Sequence, residues 1–296
     1  MVWPTPQEYQ EAIQNLRANL DDPGLQAGRV GLDVLGLPRP ISGNFASVYR
    51  VVSGTDVWAV RCFLHPVTDQ QLRYAEISRR LQEARLPYTV GFEYLPRGVR
   101  VRGQWYPVLK MAWVQGTPLH EYVRRHLGQP SALLDLAAGW LEMTAALQAA
   151  GIAHGDLQHG NVLVVDGRPK LIDYDGMYVP ALAGRRSHEL GHRHYQHPQR
   201  TETDFGPETD RFSSWVIYTA LVALAADASL WERTGAGEEF LLLRDDDFRQ
   251  PEASATLSAL AGHADPRLRA LADLLRTMVR LPLAAVPSLD GSTAPV

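Results

Sequence analysis

Around Gly116-Thr117-Pro118 this chain changes period. Before that point its apolar residues fall mostly as in strands, and after it they recur at helical spacing. Val48 to Val52 and Val57 to Leu64 read as two β runs separated by Ser53-Gly54-Thr55, a hairpin signal. Residues 68–85 predict one helix, with Tyr74, Ile77, Leu81 and Ala84 on one face. Tyr88 to Leu95, Val99 to Arg102 and Trp105 to Trp113 return to strand character. A sheet interrupted by a single helix is an uncommon plan and narrows the choice of architecture. Beyond Pro118 a strong helix is expected over Ser131 to Ala150, ended by Gly151, with Leu133, Leu134, Ala137, Leu141, Thr144 and Leu147 near one stripe. Short β-like pieces follow at Val162–Val165 and Pro169–Ile172, then a loop-rich stretch from Asp173 to Pro207. Helices are expected at about 210–226, 237–243 and 265–280.

Residues 5–20 read as an amphipathic helix, with Thr5 as N-cap and Tyr9, Ile13, Leu16 and Leu20 on one face, ended by Asp22-Pro23-Gly24. Residues 1–39 thus form an expected extension on a main domain, and 290–296 a linker-like tail. The net charge of −4 gives no general pull toward nucleic acid or an anionic membrane, so neither is an expected partner. Any phosphate site must be built locally. The one cysteine, Cys62, excludes an internal disulfide, and its neighbours Val60, Phe63 and Leu64 suggest core filler. The N-terminal residues show no basic region followed by an apolar stretch, so a secretory signal is not expected, and the apolar run from Trp215 to Ala226 is too short to span a bilayer. The expected location is the cytoplasm.

The chemistry-bearing residues are concentrated in His154-Gly155-Asp156-Leu157-Gln158-His159-Gly160-Asn161, followed by an apolar run and Leu171-Ile172-Asp173-Tyr174-Asp175-Gly176. This order resembles the catalytic loop and metal-binding segment of the protein kinase superfamily, in the His-Gly-Asp form also seen in small-molecule kinases. The resemblance covers about residues 38–289. It implies an α+β, two-lobed fold: a small β-rich N-lobe with one helix (40–112) and a larger, mainly helical C-lobe (113–289). It also implies ATP as nucleotide, Asp156 as catalytic base, and Asn161 and Asp173 as metal ligands. One carboxylate and one amide oxygen suit Mg²⁺ (or Mn²⁺), which takes its remaining ligands from phosphate and water.

Other segments fall in step with that resemblance. Ile41-Ser42-Gly43-Asn44-Phe45-Ala46-Ser47-Val48-Tyr49 resembles the phosphate-covering loop, with Gly43, Phe45 and Val48 matching and two glycines missing. In Ala59-Val60-Arg61, arginine stands where the family has the lysine that contacts phosphate, replacing a compact ammonium by a planar fork. Glu76, on the 68–85 helix, is its expected partner. Met111-Ala112-Trp113-Val114 resembles the hinge that reads adenine, and Leu163 completes the implied nucleotide contacts. Gly191-His192-Arg193-His194-Tyr195-Gln196-His197-Pro198-Gln199 resembles the end of an activation segment, and Asp210 the residue that holds the catalytic-loop backbone. The three histidines lack zinc-site spacing.

Several positions depart from the family pattern. Gln199 and Val286 stand where an ion pair is usual. Gly155 replaces the arginine that would bind a phosphorylated loop, which disfavours switching by loop phosphorylation. Gln158 replaces the catalytic-loop lysine. The leading expectation is a kinase that uses ATP and Mg²⁺ to phosphorylate Ser or Thr of a protein substrate. A pseudokinase, acting as a nucleotide-responsive binding module, is the alternative, and a small-molecule kinase the third reading.

Overall fold

A computed structural model of the chain describes residues 3–42, 46–66 and 69–292. The fold is mixed α/β, with a β-rich N-terminal part and a helical C-terminal part. Two compact units divide it: Met1–Glu83 with Val90–Val114, and Ala84–Thr89 with Gln115–Val296.

The first unit begins with α1 (Pro6–Ile13), α2 (Leu16–Asn19) and α3 (Pro23–Gln26). Thr5 caps α1 in a box with Glu8. The single helix expected over 5–20 is broken because Asn15 turns its side chain onto Ala18 N and starts a new helix. Tyr9, Ile13, Leu16 and Leu20 are buried as their spacing requires. Next come β1 (Arg29–Val30), β2 (Pro40–Ser42), β3 (Ala46–Ser53), β4 (Asp56–Phe63), α4 (Gln70–Ala84), β5 (Phe92–Val101) and β6 (Gln104–Ala112). All described pairings are antiparallel, in the order β1-β3-β4-β6-β5, with β2 also on β3. The expected β3–β4 hairpin forms, with Gly54 left-handed in its turn (φ 60°). The stretches Tyr88–Leu95 and Val99–Arg102 are not two strands. Residues 88–91 lie outside the sheet, and β5 runs continuously through an irregularity between Leu95 and Val99.

The sheet has two differently used faces. Tyr49, Val51, Val60, Cys62 and Val108 point to one face and share a core cluster with Tyr9, Ile13, Leu16, Leu20 and Leu25 of the N-terminal helices. Cys62 is fully enclosed there, and burial pushes its thiol pKa up. Val48, Ala59, Arg61 and Met111 alternate to the other face, where Val48 pairs with Arg61 and Ala59 with Met111. Residues 3–25 therefore cover the face opposite these four side chains.

In the second unit, β7 (Thr117–Pro118) leads into α5 (Leu119–Arg125) and α6 (Pro130–Ala149). Gly151, at φ 64°, closes α6. Its buried arc is wider than expected and rotated: Leu136, Trp140 and Met143 are enclosed, whereas Leu134 is exposed. The reason is a second helix against it. Trp140 Nε1 donates to Ser214 O (3.0 Å) in α7 (Arg211–Ala226), which is buried along nearly its whole length. Between them lie β8 (Val162–Val165) and β9 (Arg168–Leu171), joined through the left-handed pair Asp166-Gly167 and paired with β7. After α7 come α8 (Ser229–Thr234), α9 (Asp245–Arg249), α10 (Ala255–Ala261) and α11 (Pro266–Met278). Residues 237–243 are not the expected helix. Gly235 ends α8, and Leu241 to Leu243 are buried without helical structure. Among the described residues, no helix is long and apolar enough to cross a membrane.

Candidate active site

The loop 154–161 is held mainly through its backbone. Asp210, at the start of α7, accepts from the amides of His154 and of Gly155, the latter at 2.9 Å. The carboxylate is enclosed, and burial raises its pKa against the pull of those amides. His154 accepts from Asp156 N at Nδ1 (3.3 Å), so its Nε2 carries the proton and donates to Ile172 O (2.9 Å). Ile172 N in turn donates to Asn161 O (3.0 Å), which ties the loop to the residue before Asp173.

Asp156 and Asn161 are brought together directly. Asn161 Nδ2 donates to the Asp156 carbonyl (3.0 Å) and to its Oδ2 (2.9 Å). The amide nitrogen is thereby turned inward, and the Asn161 oxygen keeps its acceptor capacity. Asp156 Oδ1 accepts from His192 N at 2.7 Å, a contact with the 191–199 segment that residue spacing gave no sign of. Asp173 follows β9 in a left-handed conformation (φ 65°). Strain of this kind in a non-glycine residue gathers at functional positions. Asn161 and Asp173 offer hard oxygen donors of the kind Mg²⁺ prefers. Among the described residues, no group of three or more His, Cys, Asp or Glu is placed to hold a metal.

Gly155 has φ 82°, and a Cβ there would lie 2.0 Å from Gly176 O. No side chain fits, so this backbone requires glycine. Gln158 is turned back: its side-chain oxygen accepts from Gly160 N (3.1 Å). His159 is buried, accepts from the Tyr195 hydroxyl at Nδ1 (2.5 Å) and donates from Nε2 to Glu238 O (2.7 Å). Burial is the main force lowering its pKa, to about 4. His197 donates to Met278 O (3.1 Å). Val286 is fully buried in the core.

On the first unit, Arg61 lies in β4 between Val48 and Leu109, its guanidinium 5.9 Å from the Phe63 ring. Ala59 sits beside Met111, both half-buried. Glu76 pairs with Arg79 on its own helix at 2.7 Å. Trp113 N donates to Val57 O (2.8 Å), while Ala112 is exposed and Val114 half-buried. On the second unit Leu163 lies half-buried in β8. Gly43 and Phe45 lie outside the described residues.

No family model matches the chain. The "Probable serine/threonine-protein kinase mkcC" of Dictyostelium discoideum is 30% identical over 40% of this chain and 13% of its own length. The serine/threonine-protein kinase AfsK of Streptomyces coelicolor is 32% identical over 49% of this chain and 18% of its own. Calcium-dependent protein kinase 9 of rice is 32% identical over 43% of this chain and 24% of its own. The aligned region is thus less than a quarter of each of these relatives. With its β-rich and helical parts in this order, and with these matches, the chain is protein-kinase-like.

Proposed function

We propose that the chain binds ATP with Mg²⁺ (or Mn²⁺) and transfers the γ-phosphate to a Ser or Thr hydroxyl of a protein. The observation that carries this reading is the Asp156 carboxylate, oriented by Asn161 and by His192 N on a loop whose backbone Asp210 holds. Phosphoryl transfer asks for little covalent chemistry and much positioning. Asp156 takes the proton of the acceptor hydroxyl, whose oxygen bonds to the γ-phosphorus as the bond to the bridging oxygen breaks and ADP leaves. Asn161 and Asp173 would hold the metal, which neutralises phosphate oxygens when bound. Arg61 is assigned to the phosphates, and Ala59 and Met111 to the base. The serine/threonine-protein kinases among the similar proteins favour a protein hydroxyl as acceptor.

A pseudokinase is the second reading. Two observations favour it: Gln158 is folded onto its own loop, and Glu76 is paired with Arg79. Radiolabelled ATP turnover beside a nucleotide titration on one preparation separates the two. Label on protein Ser or Thr supports the proposal. Binding without transfer replaces it by the pseudokinase, and label only on small hydroxyl compounds by a small-molecule kinase.

A further inference from the structure

Gly155 cannot steady its own backbone. Its left-handed φ of 82° and the Gly176 carbonyl beside it exclude any side chain. Yet it immediately precedes Asp156. Both of its polar backbone groups are held from outside. Its N–H donates to Asp210 Oδ1 at 2.9 Å, and its carbonyl accepts from Arg200 Nη1 at 2.7 Å. The same Arg200 nitrogen donates to Gln196 Oε1, so the guanidinium also joins the loop to the 191–199 segment. Arg200 is 8% exposed.

We propose that Arg200 is a positioning residue: with Asp210 it clamps the two sides of Gly155 and fixes the backbone that presents Asp156. This rests on the reading of Asp156 as the base in phosphate transfer. Two features distinguish the clamp from ordinary core packing. Among the described residues, nothing accepts from the buried Arg200 Nε and Nη2, an arrangement that opposes folding. An apolar side chain of similar size would fill the same space without leaving buried donors unpaired. Its charge sits in the field of Asp210, Asp156, Glu189 and Asp204, which offsets part of the effect of burial on its pKa. The clamp is also constitutive. Every hydroxyl between Asp173 and Arg200 (Tyr174, Tyr178, Ser187 and Tyr195) is buried, so no exposed hydroxyl there is available to receive a phosphate that would order the segment.

The test uses the full chain with Arg200→Met and Arg200→Lys. Arg200→Met should lower the rate of transfer by about tenfold to a hundredfold, with KM for ATP changed less than about twofold, as for a misplaced base. Arg200→Lys keeps one donor for Gly155 O and should recover part of the loss. Amide hydrogen exchange is the second readout. In Arg200→Met it should quicken at 153–158 while α6, α7 and α11 keep their protection. Wild-type turnover with wild-type exchange overturns the proposal, and so does exchange that quickens equally across the three helices. If the natural protein transfers no phosphate, the kinase reading fails, and the exchange measurement still decides the clamp.

Discussion

Asn161 donates its side-chain amide to both the carbonyl and the carboxylate of Asp156, at 3.0 and 2.9 Å. One residue thereby orients the other's carboxylate, and the direction of the amide keeps its oxygen as an acceptor. In the proposed function the pair would divide two tasks, proton acceptance and metal binding, between neighbours on one loop.

That division has a thermodynamic consequence. Asn161 and Asp173 make a poor metal site without phosphate, so Mg²⁺ and ATP should stabilise the protein together far more than either alone. At a hundredfold excess over Kd the gain is about 2.7 kcal/mol. Asp173→Asn should remove most of this joint effect. Thermal melts with ATP, with Mg²⁺ and with both check it, and three unchanged melting temperatures would count against a nucleotide site.

Gly155 is where the sterics are least forgiving. Gly155→Ala must bring a Cβ to 2.0 Å from Gly176 O at φ 82°. A destabilisation of at least ~2 kcal/mol is expected from left-handed strain and overpacking together. Gly155→Arg, which restores the residue type common in the family, should be worse. Denaturant unfolding measures both, and a Gly155→Arg protein of natural stability would show that the loop backbone is held less tightly than described.

Much of this was legible in the sequence because it was local. The hairpin at Ser53-Gly54-Thr55, the apolar face of 5–20 and the spacing of Asp156, Asn161 and Asp173 lie within short windows where period and turn chemistry speak. What was not legible depends on contacts distant in sequence. The buried arc of α6 is set by α7, more than sixty residues on. The grip of His192 N on Asp156 and of Arg200 on Gly155 uses backbone atoms, which every residue type carries. The break in the first helix turned on Asn15, whose capping role competes with the apolar pattern around it. Residues 237–243 were apolar enough for a helix, yet the glycines flanking Ala236 end one instead.

Acid should weaken the fold through its buried histidines. Burial holds His159 at about 4, against 6.5 for an exposed imidazole. Between these values the unfolded chain binds a proton that the folded one refuses. Stability present above pH 6.5 is therefore lost as pH falls toward 4, by roughly 3 kcal/mol from this group. His194 and His197, also lowered chiefly by burial, act in the same direction. His159→Gln should flatten the pH dependence over that range. Denaturation curves for both proteins from pH 7 to 4 give the difference, and parallel curves would contradict the assignment.

Arg61 separates a working site from a relic. In a site adapted to guanidinium, Arg61→Lys shortens the reach and loses a second donor, so transfer should fall by about tenfold or more. A rise in activity would instead mark a site that lysine once served.

The most direct measurement is single-turnover phosphate transfer from saturating Mg–ATP to a protein acceptor, by the natural chain and by Asp156→Asn. Asp156→Asn keeps the shape of the side chain and removes the base. Transfer to Ser or Thr by the natural protein, reduced by about 10²- to 10⁴-fold in Asp156→Asn with nucleotide affinity nearly intact, is the expected result. Equal transfer by both proteins, or none by a natural protein that binds Mg–ATP, would contradict it.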